Sequence, residues 1–159
     1  MRYGISLGTT LVMITLAAGC VKSAKAPEGI LFKDDLAFLK VHTKVVVLSG
    51  ADGLAQVAVN PDLQGRVMTS TAGGPDGLSF GWINRELLTS GVNNPHINAF
   101  GGEDRFWLGP EGGQFSIFFA KRAKFELTDW FTPAAIDTMP YKVAKQSKSA
   151  ATFRAAFAV

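Results

Sequence analysis

The chain has 159 residues, 47% of them hydrophobic and 18% charged: the length of one domain, with enough apolar side chains for a core, and not the composition of a disordered tail. A single cysteine excludes an internal disulfide framework and any multi-cysteine zinc site. The formal charge of +3 is too small and too scattered for a nucleic-acid partner.

The first residues read as an address. Met1 and Arg2 give a short positive start, and Tyr3 to Leu16 form an uncharged, mostly apolar run of about fourteen residues. A spanning helix needs about 20, whereas a signal-peptide core is shorter. The segment closes on Leu16-Ala17-Ala18-Gly19-Cys20, which resembles the bacterial lipobox, with Ala17 where Leu is commonest. The expectation is cleavage after residue 19, a lipid on Cys20 and a stable membrane anchor from two or more acyl chains. Val21 after the cysteine fits transport to the outer membrane. The expected localisation is therefore the cell envelope, on the periplasmic side of the outer membrane or the cell surface. The organisation is a signal peptide over 1–19, a tether over 20–29 and a domain over 30–159.

Within that domain, Phe32, Leu36 and Leu39 recur on one helical face behind Asp34 and Asp35, predicting one short amphipathic helix with acidic residues at its positive end. Val45–Leu48, Gln56–Val59 and Arg66–Thr71 read as strands, separated by Ser49-Gly50-Ala51-Asp52-Gly53 and by Asn60-Pro61 and followed by a further break at Gly73-Gly74-Pro75. Such spacing describes a sandwich or barrel. Leu78 to Leu88 is ambiguous between strand and helix. Phe106-Trp107-Leu108 and Phe115–Phe119 flank Gly109-Pro110-Glu111-Gly112-Gly113 and predict a hairpin. A helical turn is expected near Asp129-Trp130. Tyr141–Val143 and Ala151–Arg154 look like the start of another meander, and the apolar ending at Val159 reads as an incomplete copy of a longer sandwich. The fold expected is all-β, an antiparallel sandwich with one short N-terminal helix.

Charge is unevenly placed. Residues 45–120 hold three basic and seven acidic groups and 13 of the 17 glycines, whereas residues 121–159 hold seven basic and three acidic groups. An acidic, glycine-rich middle is where loops carry a site. Its densest part, Pro95 to Gly113, sets His96, Asn98, Glu103, Asp104, Arg105, Trp107 and Glu111 among five glycines. Sugars need rigid donors and acceptors plus a flat apolar face, and this string offers carboxylates, an amide, a guanidinium and an indole. His96 is the candidate acid–base group, because a histidine beside a carboxylate can move a proton at a sugar oxygen. The alternative is structural: Glu103, Asp104 and Arg105 form a local ion network and Trp107 belongs to the core. No metal-ligand signature, nucleophile elbow or phosphate-binding glycine loop is present, so neither cofactor nor metal is expected.

A family resemblance covers roughly Phe32 to Arg154. AQVAVNPDLQGRVMTSTAGG, from Ala55 to Gly74, is similar to the opening strands of galactose-mutarotase-like proteins, with Gln64-Gly65 where that pattern has a glycine pair before its arginine. LSFGWINRELL (78–88) and HINAFGGEDRFWLGPEGGQFSIFF (96–119) resemble uncharacterised bacterial lipoproteins of that β-sandwich type. The resemblance implies a large sandwich that binds a carbohydrate on its concave sheet, with Arg66 among the sugar contacts. It supplies no reaction: mutarotases use a histidine and a late glutamate, and His96 matches neither of their histidines. Two functions stay open: an envelope lipoprotein that binds, and is a candidate to modify, a carbohydrate, or a non-catalytic scaffold or protein-interaction module.

Overall fold

The computed structural model describes residues 28–109 and 111–158. The signal segment, Cys20 and nearly all of the tether lie outside the described residues. The predicted helix is α1, Phe32–His42, with Asp34 and Asp35 in its first turn and Lys40 and His42 in its last, the arrangement the helix dipole favours. Phe32 and Leu39 are fully buried. So is Asp35, which the apolar pattern does not anticipate. Its carboxylate accepts from Arg85 Nη2 and Ser79 Oγ, both at 2.5 Å.

The three predicted strands form an antiparallel meander of β1 (Val46–Ser49), β2 (Gln56–Asn60) and β3 (Arg66–Thr71). The β2–β3 connection is a 3-10 turn, Pro61–Leu63, begun by the Asn60 side chain accepting from the Asp62 amide at 2.9 Å. The register holds one irregularity that matters. Ala58 pairs with Thr69, but Val59 pairs with Val67, so Met68 is an extra residue in β3. Paired residues share a face and successive residues alternate. The bulge therefore inverts the alternation and turns Arg66 onto the face of Ala58, Thr69 and Thr71. Arg66, Met68, Thr69 and Thr71 are all buried.

The main core joins Phe32 and Leu39 of α1 to Ala58, Leu63, Met68, Ile83 and Phe100. Residues 101–104 run beside β3: Val67 bridges Asp104, and the Val67 carbonyl accepts from the Glu103 amide at 2.8 Å. The ambiguous stretch resolves into coil followed by α2, Arg85–Ser90, capped by the Asn84 side chain.

The hairpin expected over 106–119 does not form. Neither run has the period-2 alternation that gives a strand a dry face and a wet one. Their aromatics instead pack on one another, with buried Phe118 tilted against Trp107 (5.5 Å) and stacked on Trp130 (5.3 Å). A lone bridge joins Phe119 to Trp130. The expected helical turn is the 3-10 turn Leu127–Asp129, and α3, Ala134–Asp137, follows Pro133. The last predicted strands pair as β4 (Lys142–Gln146) and β5 (Ala151–Arg154), a separate two-stranded sheet. It is tied to the meander where the Lys148 carbonyl accepts from the Ser49 amide at 2.8 Å. The described chain is thus two small antiparallel sheets with short helices. No helix among the described residues is long and apolar enough to cross a membrane.

Candidate functional site

Arg66 is the deepest charged group of the region. It opens β3, the bulge turns it inward, and it is only 2% exposed. Nη1 donates to the Gly101 carbonyl at 2.9 Å, and the guanidinium lies 5.7 Å from the Phe100 ring centroid. Nε and Nη2 are buried with no acceptor. Burial, and secondarily the positive charge of Arg105, push Arg66 down to about 10, against a smaller opposing pull from Asp137. Arg105 is half-buried, lowered by desolvation and supported by Asp137 and Glu111. Its guanidinium covers the Trp107 ring at 3.6 Å.

The other expected residues sort into three groups. Trp107 Nε1 donates to Glu111 Oε1, so one indole links Arg105, Glu111 and the Phe118 stack. Asn98 is buried: its amide and Nδ2 donate to Asp137, at 2.7 Å for Nδ2 to Oδ2, while its Oδ1 accepts from the Asn94 amide at 2.7 Å. His96 Nδ1 lies 2.6 Å from the Trp130 carbonyl, and its ring stacks on Phe131 at 4.3 Å. A carbonyl only accepts, so Nδ1 carries the proton and Nε2 of the neutral ring is left as acceptor. Glu103 looks the other way. Its carboxylate takes the Ser70 amide (2.6 Å) and hydroxyl (2.7 Å), and Ser70, paired with Val57, sits on the sheet face opposite Arg66. Asp104 accepts from the Arg105 amide at 2.8 Å.

Gly101, Gly102, Glu103, Asp104 and Arg105 line a recess of about 250 Å³. The two glycines are required by its construction. Both have positive φ (86° and 106°), and a Cβ on Gly101 would collide with the Trp82 carbonyl, one on Gly102 with the Val67 carbonyl and the Arg66 side chain. Arg66 therefore stands directly behind the glycine wall of the recess.

Two contributors escape the sequence reading. Asp137, in an unremarkable Ala-Ala-Ile-Asp stretch, is the buried carboxylate nearest in influence to both arginines. Trp82 is 63% exposed, and its indole edge lies against Gly101. The signal for Trp82 was its tryptophan in a Gly-Trp step of no clear periodicity; its exposure was not legible. Trp107, the aromatic platform expected from sequence, has one face under Arg105 and packs on Phe118, whereas Trp82 offers a free indole beside the recess. Among the described residues no group of three His, Cys, Asp or Glu side chains is placed to hold a metal ion. No curated protein and no solved structure matches the chain. Residues 30–159 match the family of unknown function DUF6786, and the chain belongs to that family.

Proposed function

We propose that this protein is a cell-envelope lipoprotein, anchored through Cys20, whose β-rich domain belongs to a mutarotase-like sandwich and binds a carbohydrate at the Gly101–Arg105 recess. The observation that carries the reading is the exposed Trp82 indole beside a recess edged by Glu103, Asp104 and Arg105. An aromatic plane next to charged donors and acceptors suits the apolar face and hydroxyl rim of a sugar ring. The antiparallel meander and the resemblance of residues 55–74 to mutarotase openings support the sandwich. Binding is the core of the proposal. Catalysis by His96 would fall to Nε2, because Nδ1 is held by the Trp130 carbonyl.

The test is a glycan array followed by titration calorimetry on the full chain and its Trp82→Ala variant. Trp82 is largely solvent-exposed, so its truncation should leave the melting temperature within a few degrees. It should weaken sugar binding by at least about tenfold, the scale of one aromatic stacking contact. No sugar binding at millimolar concentration would sink the reading. Anchoring is tested separately: Cys20→Ser should abolish acyl labelling and release the protein from membranes.

A second reading, a protein-interaction module, is favoured by Phe115, Phe125 and Leu127, which are 95%, 64% and 80% exposed. Pull-down through that surface, unaffected by Trp82→Ala, would support it.

A further inference from the structure

The carboxylates around Arg66 and Arg105 have their hydrogen bonds directed to neutral donors. Asp137 accepts from Asn98, Glu111 from the Trp107 indole, Glu103 from Ser70 and Asp104 from the Arg105 amide. Elsewhere a cation either meets a carboxylate, as Arg85 does Asp35 at 2.5 Å, Lys33 does Asp76 at 2.6 Å and Lys44 does Asp62 at 3.4 Å, or is exposed, as Lys40, Arg122 and Arg154 are. Among the described residues neither Arg66 nor Arg105 stands in such a pair. Two guanidinium groups close enough to repel each other thus lack a carboxylate at ion-pair distance, although Asp137 attracts both and Glu111 attracts Arg105, and Arg66 keeps two buried N–H-bearing nitrogens without an acceptor. An unsatisfied buried cation is destabilising unless something else supplies the acceptor.

We propose that the carbohydrate is acidic, a uronic acid whose ring lies on Trp82 and whose carboxylate enters the Gly101–Arg105 recess, where Arg105 receives it directly and Arg66 adds the second positive charge from behind the glycine wall. This rests on the carbohydrate reading above. A planar carboxylate suits the fork of a guanidinium, and charge-assisted bonds of this type are about twice as strong as neutral ones. Glu103 and Asp104 are the opposing charges at the recess. Glu103 is turned to Ser70, on the far face of the sheet, and Asp104 is engaged with the backbone.

Galacturonate and galactose, and glucuronate and glucose, are the probe pairs, titrated into the full chain by calorimetry at low and at physiological salt. In at least one pair the uronate should bind about tenfold tighter or more than its neutral counterpart, with the ratio shrinking as salt rises. Arg105→Gln should collapse that ratio towards one. Arg105 is half-exposed, so this variant folds even if Arg66→Gln does not. Equal affinity for acid and neutral sugar, or a ratio untouched by Arg105→Gln, overturns the acidic preference while the carbohydrate reading stands. Failure of all four sugars to bind overturns the uronate proposal, and an array on which no glycan binds removes the carbohydrate reading with it.

Discussion

Arg66 is a residue whose burial has a readable consequence in pH. Burial lowers its folded-state pKa from the ordinary arginine value to about 10. At neutral pH the group remains charged in both states, and desolvation of that charge weighs against the native state. Above pH 9 the native state begins to release the proton while the unfolded chain still holds it. Unfolding free energy must then rise with pH through this group. The measurement is denaturant unfolding of the wild type and Arg66→Met at pH 8, 9, 10 and 11, where the difference cancels the lysines and tyrosines common to both. The stability of the wild type relative to Arg66→Met should increase with pH, by at most about 1.4 kcal/mol per unit. A flat or falling difference would show that Arg66 has an acceptor in solution. Nothing in the sequence disclosed this burial. Its side of the sheet depends on one extra residue, Met68, and a bulge is set by pairing with β2, not by the apolar pattern of β3 itself.

Among the elements, α1 and the strands of the meander were legible because each repeats at its own period and ends at a recognisable breaker. The β-branched runs stop at Gly50, Pro61 and Gly73, as turn chemistry requires. The 106–119 region was not legible for the complementary reason: its aromatics have no alternation, and ring partners such as Phe125 and Trp130 come from a segment in which only a helical turn was expected. The attachment of α1 was also hidden, since Asp35 read as a dipole residue. It is instead the staple between α1, the start of α2 and the loop at Ser79, with Arg85 also placed over the Phe38 ring at 4.3 Å. Asp35 is enclosed but Arg85 is 40% exposed, so losing the carboxylate costs no more than the low end of the roughly 3–5 kcal/mol typical of a fully buried pair. Asp35→Ala should thus destabilise by about 3 kcal/mol, read as a shift in the urea midpoint at unchanged slope. The exposed Lys33–Asp76 pair is the internal control: Asp76→Ala should change stability by less than about 1 kcal/mol. Equal effects of the two substitutions would mean that Asp35 is solvated and α1 is held by its apolar face alone.

For the whole molecule, the two ends of the described fold are unlike each other. Around α1 and the meander most large apolar side chains are enclosed, Val41 and Leu54 excepted. Around residues 115–130 they are not: Phe115, Phe125 and Leu127 are exposed, the Phe119 and Phe125 ring centroids lie 5.4 Å apart, Phe119, Phe125, Leu127 and Trp130 border a recess of about 310 Å³, and Phe115 and Phe119 line a neighbouring one. Lone exposed apolar residues are ordinary, but a contiguous aromatic face recruits a partner or associates with itself. Lys121 and Arg122 border the recess beside Phe115, and Lys124 faces Glu126 at 4.0 Å. A Cys20→Ser chain, which lacks the proposed lipid attachment point, should therefore enhance the fluorescence of an apolar dye and sediment more heavily as its concentration is raised. The combined variant Phe115→Ser, Phe125→Ser and Leu127→Ser should suppress both signals. Since each of these side chains is mostly in water already, the melting temperature should move by only a few degrees. A large drop in melting temperature would mean that the three are covered in solution and belong to a core. Unchanged dye binding with intact stability would place the adhesive surface elsewhere, and the protein-interaction reading would lose the observation that favours it.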